Sequence, residues 1–282
     1  APTARNVAID RAKGKYFYFL DSDDWAEPTM LADMVALAEK TDAQLIVTGY
    51  YIDTYYSDTE KFVQEQSCPD KVYVSQRQFR EDSYNLFDRN LLYTPWNKLY
   101  SGEYIREHKL YFPDTFWDDF PFNLSVLRDV ERVAVSSKKY YHFIRKRAES
   151  ETAKYRSDMY QRREDENKWM RDLYSYWNVD SEDVEEFLSR RYAERLLGCV
   201  ENITNKNCDL STHKKKKEIK RMIRDKKAVK ALKTAKPRSL YMKAALIPMK
   251  IKSTKLTYCE GKVISKVKST DTKMFAKLKA NR

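Results

Sequence analysis

Three aspartates lie together directly after a short apolar run. Asp21, Asp23 and Asp24 follow the residues Tyr-Phe-Tyr-Phe-Leu at 16–20. Three carboxylates within four residues repel one another unless a cation lies among them, and such oxygen-rich groups suit Mg²⁺ or Mn²⁺ better than zinc. The pattern therefore predicts a divalent-metal site able to hold a diphosphate. A solvated turn or a helix N-terminus, where Asp is common, is the alternative interpretation.

The elements around these acids predict an α/β fold. The apolar run 16–20 is typical of a strand covered on both faces, as in a parallel sheet between helices. Its carboxyl end would open into a crevice, where open α/β sheets bind ligands. Further patterns predict helices starting at Glu27-Pro28 and at Ser75, a strand at 43–52, and one or two strands at 130–145.

A second acid pair, Asp118-Asp119, follows Trp117 at a predicted helix start. Such acids can serve as helix-capping groups near the positive end of the helix dipole. A carboxylate partly buried beside Phe116, Trp117 and Phe120 would instead have a raised pKa, which suits a general base. Both interpretations stay open from the residues alone.

The segment from Ala4 to Trp25 resembles the middle of the family 2 glycosyltransferases. Ala-Arg-Asn, a helix, Ala-Lys-Gly and Asp-Ser-Asp-Asp occur in the order and spacing of that family. The resemblance implies a GT-A fold, a nucleotide-sugar donor, and Mg²⁺ or Mn²⁺ bound to the donor diphosphate by Asp21 and Asp23. It also implies that Arg5 contacts the donor and that Asn6 is a structural partner. The haloacid-dehalogenase chemistry of Asp-x-Asp is a rival, but nothing else here matches its pattern.

Later segments extend this resemblance. Phe112-Pro, the acid pair and Phe122 match a family segment in which the second acid deprotonates the acceptor, so Asp119 is the implied general base and Asp118 stands where the family has Glu. Trp96-Asn-Lys98 resembles a segment beneath the active site. It makes Lys98 a donor-binding candidate, with a packed corner as the alternative.

The Tyr-rich segment at 140–147 resembles a family strand followed by an Arg-rich loop that can fold over the diphosphate. It makes Arg145 and Arg147 donor-binding candidates. His142 is a further candidate contact, although a lone histidine in a strand is more often a packing residue.

Charge divides the chain unevenly. Residues 206–282 carry 25 Lys and Arg against 5 Asp and Glu, a net charge of +20, whereas residues 1–205 carry 29 against 37, or −8. Lysines interleave with apolar residues in this tail, which favours an anionic membrane surface. Nucleic acid is an unlikely partner because recognition motifs are missing, and a solvated charged helix is the plain alternative.

Four scattered cysteines without Cys-x-x-Cys pairs argue against a zinc site or a disulfide framework. No apolar run reaches the roughly 18 residues needed to span a membrane. We therefore expect a cytoplasmic enzyme, peripheral at the inner face of the plasma membrane. The predicted divisions are a catalytic core at 1–152, a helical extension at 153–210 and a basic amphipathic tail at 211–282.

The predicted architecture is a GT-A-like (Rossmann-like) mixed sheet flanked by helices, followed by a helical C-terminal region. Family members place about three strands before the acidic motif, so we expect the core to be truncated at its N-terminus and to transfer sugar poorly. The predicted activity is metal-assisted, inverting transfer from a nucleotide-diphosphate sugar to a saccharide acceptor of the lipid-linked kind. The alternative is a non-catalytic membrane- or nucleic-acid-binding remnant of such an enzyme.

Overall fold

The computed structural model describes residues 2–57, 59–115, 117–146 and 155–270. It divides into two compact units, one of residues 1–149 and 173–179, the other of residues 150–172 and 180–282. Predictions that involve Phe116, Arg147 and the tail beyond residue 270 lie outside the described residues. None of the described helices is long and apolar enough to cross a membrane.

The first unit contains seven strands and five complete helices within the described residues. The strands are β1 (Tyr16–Phe17), β2 (Trp25–Ala26), β3 (Leu45–Tyr55), β4 (Lys61–Gln66), β5 (Lys71–Tyr73), β6 (Lys98–Ser101) and β7 (Val133–Lys146). The helices are α1 (Pro2–Arg11), α2 (Met30–Thr41), α3 (Gln76–Asp88), α4 (Gly102–Glu107) and α5 (Asp119–Asp129).

One mixed sheet joins the seven strands in the order β1-β6-β3-β7-β2, with β4 paired to β3 and β5 paired to β7. The central pair β3 and β7 is parallel, and every other pair is antiparallel. The register of β3 against β7 shifts around Gly49, where an added Cβ would lie 2.7 Å from Gln66 O and from Lys139 Cγ. Only glycine fits this bulge, because both neighbouring strands approach the backbone there.

The run before the acids is shorter as a strand than the sequence predicts. Only Tyr16 and Phe17 pair with another strand, and they do so antiparallel to β6 at one end of the sheet. Leu20 is 56% exposed, so the expectation of a strand covered on both faces is wrong for its second half. The alternating aromatic run instead leaves the sheet and enters the turn that carries the acids, with Asp24 N donating to Asp21 O at 3.2 Å.

Helix α2 forms where Met30, Met34 and Ala38, spaced by four residues, present one apolar stripe. It packs on β3 and β7 through that buried stripe. Helix α5 buries a wider face that includes Phe120, Phe122 and Leu127. The predicted strand or strand pair at 130–145 is one long strand, β7, whose far end runs beside the acidic turn.

The second unit is helical. Its helices are α7 (Glu182–Thr204), α8 (Thr212–Arg224), α9 (Lys226–Thr234), α10 (Leu240–Ala245), α11 (Ile247–Lys250) and α12 (Thr254–Thr270), together with residues 159–172 of α6 (Met159–Trp177). Leu196, Ile223, Leu232 and Leu246 belong to one buried cluster to which α7 through α12 all contribute. Residues of the predicted basic tail therefore supply part of a packed core.

Candidate active site

The guanidinium of Arg5 joins the two acid groups that are far apart in sequence. Its Nη2 donates to Asp21 Oδ1 at 2.8 Å, and its Nη1 donates to Asp119 Oδ1 at 2.5 Å and to Asp118 Oδ2 at 3.2 Å. Three predicted site residues, Arg5, Asp21 and Asp119, thus lie within the span of one side chain. We call Arg5, Asp21, Asp118 and Asp119 the acid bridge.

Helix α1 holds Arg5 in place through the residue that follows it. The Asn6 side chain donates to Phe112 O at 2.8 Å and accepts from Phe112 N at 2.8 Å. The Arg5 guanidinium also lies 5.0 Å from the ring centroid of Phe112, which stacks on Phe122 at 3.8 Å. Asn6 is therefore the structural partner that the sequence predicted, since it ties α1 to the segment that leads into the acid pair.

Asp119 is the first residue of α5, and a side chain one helical turn later holds its backbone carbonyl. Asn123 Nδ2 donates to Asp119 O at 2.8 Å, and Asn123 Oδ1 accepts from the Tyr100 hydroxyl at 2.9 Å. Trp117, two residues before Asp119, has a φ of 63°, in the left-handed region that non-glycine residues rarely adopt. Asp118 makes no side-chain capping hydrogen bond, whereas Asp119 lies in the first turn of α5, near the positive end of the helix dipole.

The carboxyl group of Asp119 has a raised pKa of about 6. Burial is the main cause, the Arg5 cation lowers this pKa, and the charges of Asp118 and Asp21 raise it again. Burial also lowers the pKa of Arg5, but the three carboxylates outweigh it and the net shift is upward. Arg5 thus stays charged while Asp119 titrates in the range suited to a general base.

Asp24 faces away from the acid bridge. Its Oδ2 accepts from the Tyr141 hydroxyl at 2.6 Å and its Oδ1 accepts from Ile144 N at 2.7 Å. The Tyr141 ring stacks on Trp96 at a centroid distance of 4.2 Å. Burial raises the pKa of Asp24 to about 6, although both hydrogen bonds lower it. Asp24 therefore fastens the acidic turn to β7 instead of adding a third ligand.

The donor set for a divalent ion consists of Asp21 and Asp23. Asp23 is exposed and Asp21 is half-buried, with one oxygen engaged by Arg5. In the described ranges, no group of three or more His, Cys, Asp or Glu side chains is arranged to hold a metal ion. Two carboxylates still fit Mg²⁺, which usually keeps several waters and binds one or two carboxylates together with substrate phosphates.

Lys98 lies fully buried beneath the site. Its ammonium donates to Leu91 O at 2.6 Å, to Thr94 O at 2.5 Å and to Asn97 Oδ1 at 2.9 Å. Burial lowers its pKa well below the usual value, which the charge of Asp119 partly opposes. These contacts fit the packed-corner interpretation, and its predicted contact with the donor stays a prediction.

Arg145 lies in β7 directly after Ile144, the residue that binds Asp24. Its guanidinium is 5.5 Å from the ring centroid of Phe143. The strand therefore brings Arg145 to the neighbourhood of the acidic turn. Its donor-binding role also stays a prediction.

His142 occupies a stack that the sequence did not predict. Its ring lies 3.6 Å from the Trp25 ring and 4.5 Å from the Tyr51 ring, measured between centroids. Its Nδ1 is 3.1 Å from Asp53 Oδ2, and its Nε2 is 3.3 Å from Glu27 Oε1. These contacts match the packing role favoured for a lone histidine in a strand.

One cavity of the first unit lies away from the acids. It has a volume of about 690 Å³ and is lined by residues at the start of α3, by Glu131 and Arg132 after α5, and by residues 177–179. Because Asp119 begins α5 and this cavity follows its end, roughly 15 Å of helix separates them. The cavity therefore belongs to no part of the acid bridge.

Comparisons with known proteins find similarity to one family. A model of glycosyl transferase family 2 matches residues 2–109. An uncharacterized glycosyltransferase, EpsJ of Bacillus subtilis, is 28% identical over 141 residues, which are 49% of this chain and 40% of EpsJ. The poly(ribitol-phosphate) beta-N-acetylglucosaminyltransferase TarS of Staphylococcus aureus is 26% identical over 205 residues, which are 67% of this chain and 32% of TarS. The chain thus spans well under half the length of these relatives.

Solved structures show a similar fold. The crystal structure of S. aureus TarS 1-349 in complex with UDP-GlcNAc aligns with a TM-score of 0.51 at 16% identity, covering 96% of this chain and 72% of that one. The crystal structure of S. aureus TarS 1-349 aligns with a TM-score of 0.52. The GT-A-like mixed sheet with flanking helices and a helical C-terminal region is therefore confirmed.

Proposed function

We propose that the chain, whose residues 2–109 match a model of glycosyl transferase family 2, transfers a sugar from a nucleotide-diphosphate donor to a hydroxyl of a saccharide acceptor. The observation that carries this proposal is the acid bridge. Arg5 brings the Asp-x-Asp carboxylate of Asp21 to the same place as Asp119, whose pKa of about 6 suits a base. A donor-side group and an acceptor-side group thus meet across 98 residues of sequence.

The proposed step is a direct displacement at the anomeric carbon. The Asp119 carboxylate takes the proton of the acceptor hydroxyl as the acceptor oxygen forms its bond to that carbon. The bond from the same carbon to the diphosphate oxygen breaks, and the nucleoside diphosphate leaves with the electron pair. Attack from the face opposite the leaving group inverts the configuration.

Arg5 is the proposed donor contact on the side of the leaving group. Its guanidinium is held by Phe112 and by three carboxylates, so it is ordered before a ligand arrives. A diphosphate oxygen could replace one of these carboxylates as acceptor, because Arg binds phosphate and carboxylate through the same fork of donors. When bound by Asp21 and Asp23, Mg²⁺ or Mn²⁺ would supply positive charge against the leaving diphosphate.

The similar proteins indicate which nucleotide-sugar donor to test first. The TarS structure holds UDP-GlcNAc, and TarS is named for transfer of N-acetylglucosamine to poly(ribitol-phosphate). We propose a UDP-sugar as the donor and a saccharide of the lipid-linked kind as the acceptor.

The test compares Asp119→Asn with Asp118→Asn. Both changes remove one carboxylate from Arg5, but only the first removes the proposed base. We expect Asp119→Asn to lower the transfer rate at least ~100-fold. UDP binding, measured by calorimetry with Mn²⁺, should change less than about threefold. Asp118→Asn should retain most of the transfer.

The pH dependence supplies a second readout of the same experiment. A base must be ionised, so kcat/KM should fall about tenfold per pH unit below a midpoint near pH 6. The carboxyl group of Asp24 titrates in the same pH range, so Asp24→Asn is the control variant. In this variant kcat/KM should still fall at acidic pH. Unchanged transfer by Asp119→Asn would remove Asp119 as the base. No UDP binding with or without Mn²⁺ would favour the non-catalytic alternative.

We also propose that the second unit keeps the protein at an anionic membrane surface, with its catalytic unit on the cytoplasmic side. Leu240, Ile247 and Ile251 are 82%, 54% and 60% exposed, and lysines of α10 to α12 lie among them. Basic residues and exposed apolar side chains together suit an anionic interface. In vesicle flotation, Ile247→Gln with Ile251→Gln should reduce binding to anionic vesicles. Equal binding of the unchanged chain to neutral and anionic vesicles would contradict this anchor.

A further inference from the structure

A cavity of about 450 Å³ lies within the helical unit. Its walls come from residues 155–160 at the entry to α6, from the C-terminal end of α7, and from one face of α8. This volume lies in the range of small-molecule sites in proteins. None of the acid bridge residues contributes to it, so it would be a separate site.

One side of the cavity is cationic. Lys214, Lys217 and Arg221 follow one another on α8 at steps of three and four residues, which place them on one helix face. Arg156, at the entry to α6, also lines the cavity. Glu218 is the single carboxylate that lines it. Four cationic side chains therefore surround one acid.

The negative charge of Glu218 is already neutralised by an ion pair. Arg221 Nη2 lies 2.8 Å from Glu218 Oε2, so this pair cancels within the wall. Within the described ranges neither Lys214 nor Lys217 forms an ion pair, and both side chains are exposed at the rim. The cavity thus retains positive charge that is available to an anionic ligand.

The floor of the cavity is apolar. Cys199, Ile203 and Met222 line it and are buried, while Leu210 lies at its edge. Tyr160 forms part of the wall, and the guanidinium of Arg221 lies 4.7 Å from its ring centroid. A ligand in this cavity would therefore contact apolar side chains as well as cationic ones.

The backbone around the cavity is well anchored. Arg156 N donates to Asn202 Oδ1 at 3.0 Å, and Asn202 Nδ2 donates to Arg156 O at 2.7 Å. Ser211 caps α8 by accepting from Lys214 N at 3.3 Å. These bonds fix the relative positions of the α6 entry, α7 and the start of α8, so the cavity walls are preformed.

We infer that this cavity binds a phosphate group that carries an apolar chain, the chemistry of an anionic lipid headgroup. The lysines and arginines would bind the phosphate oxygens, and the apolar floor would take the first carbons of the chain. Inorganic or polar phosphates offer only the first half of these contacts. The inference deepens the proposed membrane contact but is independent of sugar transfer, because its ligand can be tested in solution without vesicles.

The test measures binding of dihexanoyl phosphatidate, below its aggregation concentration, to the full chain by calorimetry. Glycerol 3-phosphate is the ligand control, because it keeps the phosphate and lacks the chains. Lys214→Gln with Lys217→Gln is the test variant. Lys220→Gln with Arg224→Gln is its matched control, since it removes the same charge from the same helix at positions that do not line the cavity.

We expect Lys214→Gln with Lys217→Gln to weaken phosphatidate binding at least ~10-fold and the control variant to change it less than ~2-fold. Glycerol 3-phosphate should bind at least ~10-fold more weakly than phosphatidate because the apolar floor stays empty. In the NMR spectrum of methyl-labelled methionine, phosphatidate should shift the Met222 signal and leave those of Met30 and Met34 unchanged. The last two belong to the sheet unit.

Three results would overturn the inference. Equal weakening in both double variants would mean that only the overall charge of α8 matters. Equal affinity for glycerol 3-phosphate and phosphatidate would leave a phosphate site without a lipid chain. An unshifted Met222 signal at saturation would place the ligand outside the cavity. All four substituted residues are exposed, so failure to fold is not expected, and a thermal melt of each variant verifies this.

Discussion

The acid bridge and the helical-unit cavity use charge in opposite ways. In the first, one guanidinium contacts three carboxylates, and its own side chain is 18% exposed. In the second, four cationic side chains surround a single carboxylate that is paired with one of them. The first site is held together by its internal charges, whereas the second keeps unpaired charge at its rim.

This difference shows what each site requires of a ligand. At the acid bridge a ligand competes with contacts that already exist, so a diphosphate must displace a carboxylate from Arg5 or approach with a cation of its own. At the cavity an arriving anion would relieve the repulsion among neighbouring cationic side chains. Removing charge should therefore destabilise the first site and slightly stabilise the second.

The largest effect is expected for Arg5→Ala. It leaves three clustered carboxylates without a cation, and breaking a partly buried ion pair in this way should lower the free energy of unfolding by about 2 kcal/mol. Urea denaturation at pH 7 measures the change. Arg77→Ala is the matched control, because its pair with Glu81 is exposed and its loss should lower the stability far less. Equal losses in the two variants would contradict a central role for Arg5 in the acid bridge.

A smaller effect is expected where Asp24 is fastened to β7. Tyr141→Phe removes a hydroxyl that donates to a half-buried carboxylate at 2.6 Å, so stability should fall by about 1.5 kcal/mol. Because this hydrogen bond lowers the pKa of Asp24, its loss should raise that pKa above about 6.

The neighbouring tyrosine provides the control for that change. Tyr140 donates to Asp33 at 2.6 Å in a more exposed setting, so Tyr140→Phe should cost less than about 0.5 kcal/mol. The stabilities come from urea denaturation and the pKa of Asp24 from an NMR titration of its carboxyl carbon. A Tyr140→Phe loss as large as that of Tyr141→Phe would show that the acidic turn is not specially anchored.

The smallest effect, of opposite sign, is expected at the cavity. Lys217→Gln removes repulsion from Lys214 and Arg221 on the same face of α8, and should stabilise the chain by about 0.3 kcal/mol at low salt. The gain should vanish in 0.5 M salt, which screens exposed charges to within roughly 4 Å.

Lys168→Gln is the matched control for this sign. Lys168 is an exposed lysine of the same unit, paired with Asp172 at 2.5 Å one helical turn away. Its replacement should destabilise the chain by about 0.3 kcal/mol at low salt. Thermal melts at two salt concentrations measure both variants. A loss of stability in Lys217→Gln at low salt would contradict unpaired charge at the cavity rim.

The sequence was sufficient for the elements and for the identity of several residues in the acid bridge. Hydrophobic periodicity located α2 and α3, and the β-branched run at 43–52 located β3. The spacing of the acidic and Ala-Arg-Asn segments pointed to Arg5, Asp21 and Asp119, which the structure brings together. These signals are local, because each depends on residues close to one another in the chain.

The separate roles of Asp21, Asp23 and Asp24 could not be predicted from their spacing. Adjacent acids look equivalent in sequence, but Asp24 turns toward Tyr141 and Ile144, whereas Asp21 turns toward Arg5. The partners of Asp24 lie more than 100 residues away on β7, whereas Arg5 lies 16 residues before Asp21 on α1. The only sequence signal was the Tyr-rich segment at 140–147. It did not indicate which tyrosine hydroxyl would contact the acids.

The same limit applies to the buried lysine and to the basic tail. Lys98 looked like a donor contact by its place in a motif, yet it lies fully buried among three oxygen acceptors. In the lysine-rich tail, the apolar residues Ile219, Met222 and Leu246 are fully buried, whereas Leu240, Ile247 and Ile251 are exposed. Burial depends on which other elements pack nearby, so composition alone does not determine it.

By itself the sequence determined the order of helices and strands, the family resemblance and the uneven charge of the two halves. Only the tertiary structure decided which carboxylate meets Arg5, which one meets Tyr141, and that the α8 lysines line a cavity. The physical reason is that charge interactions and burial act through space over a few ångströms, whereas periodicity and motif spacing report only on neighbours along the chain.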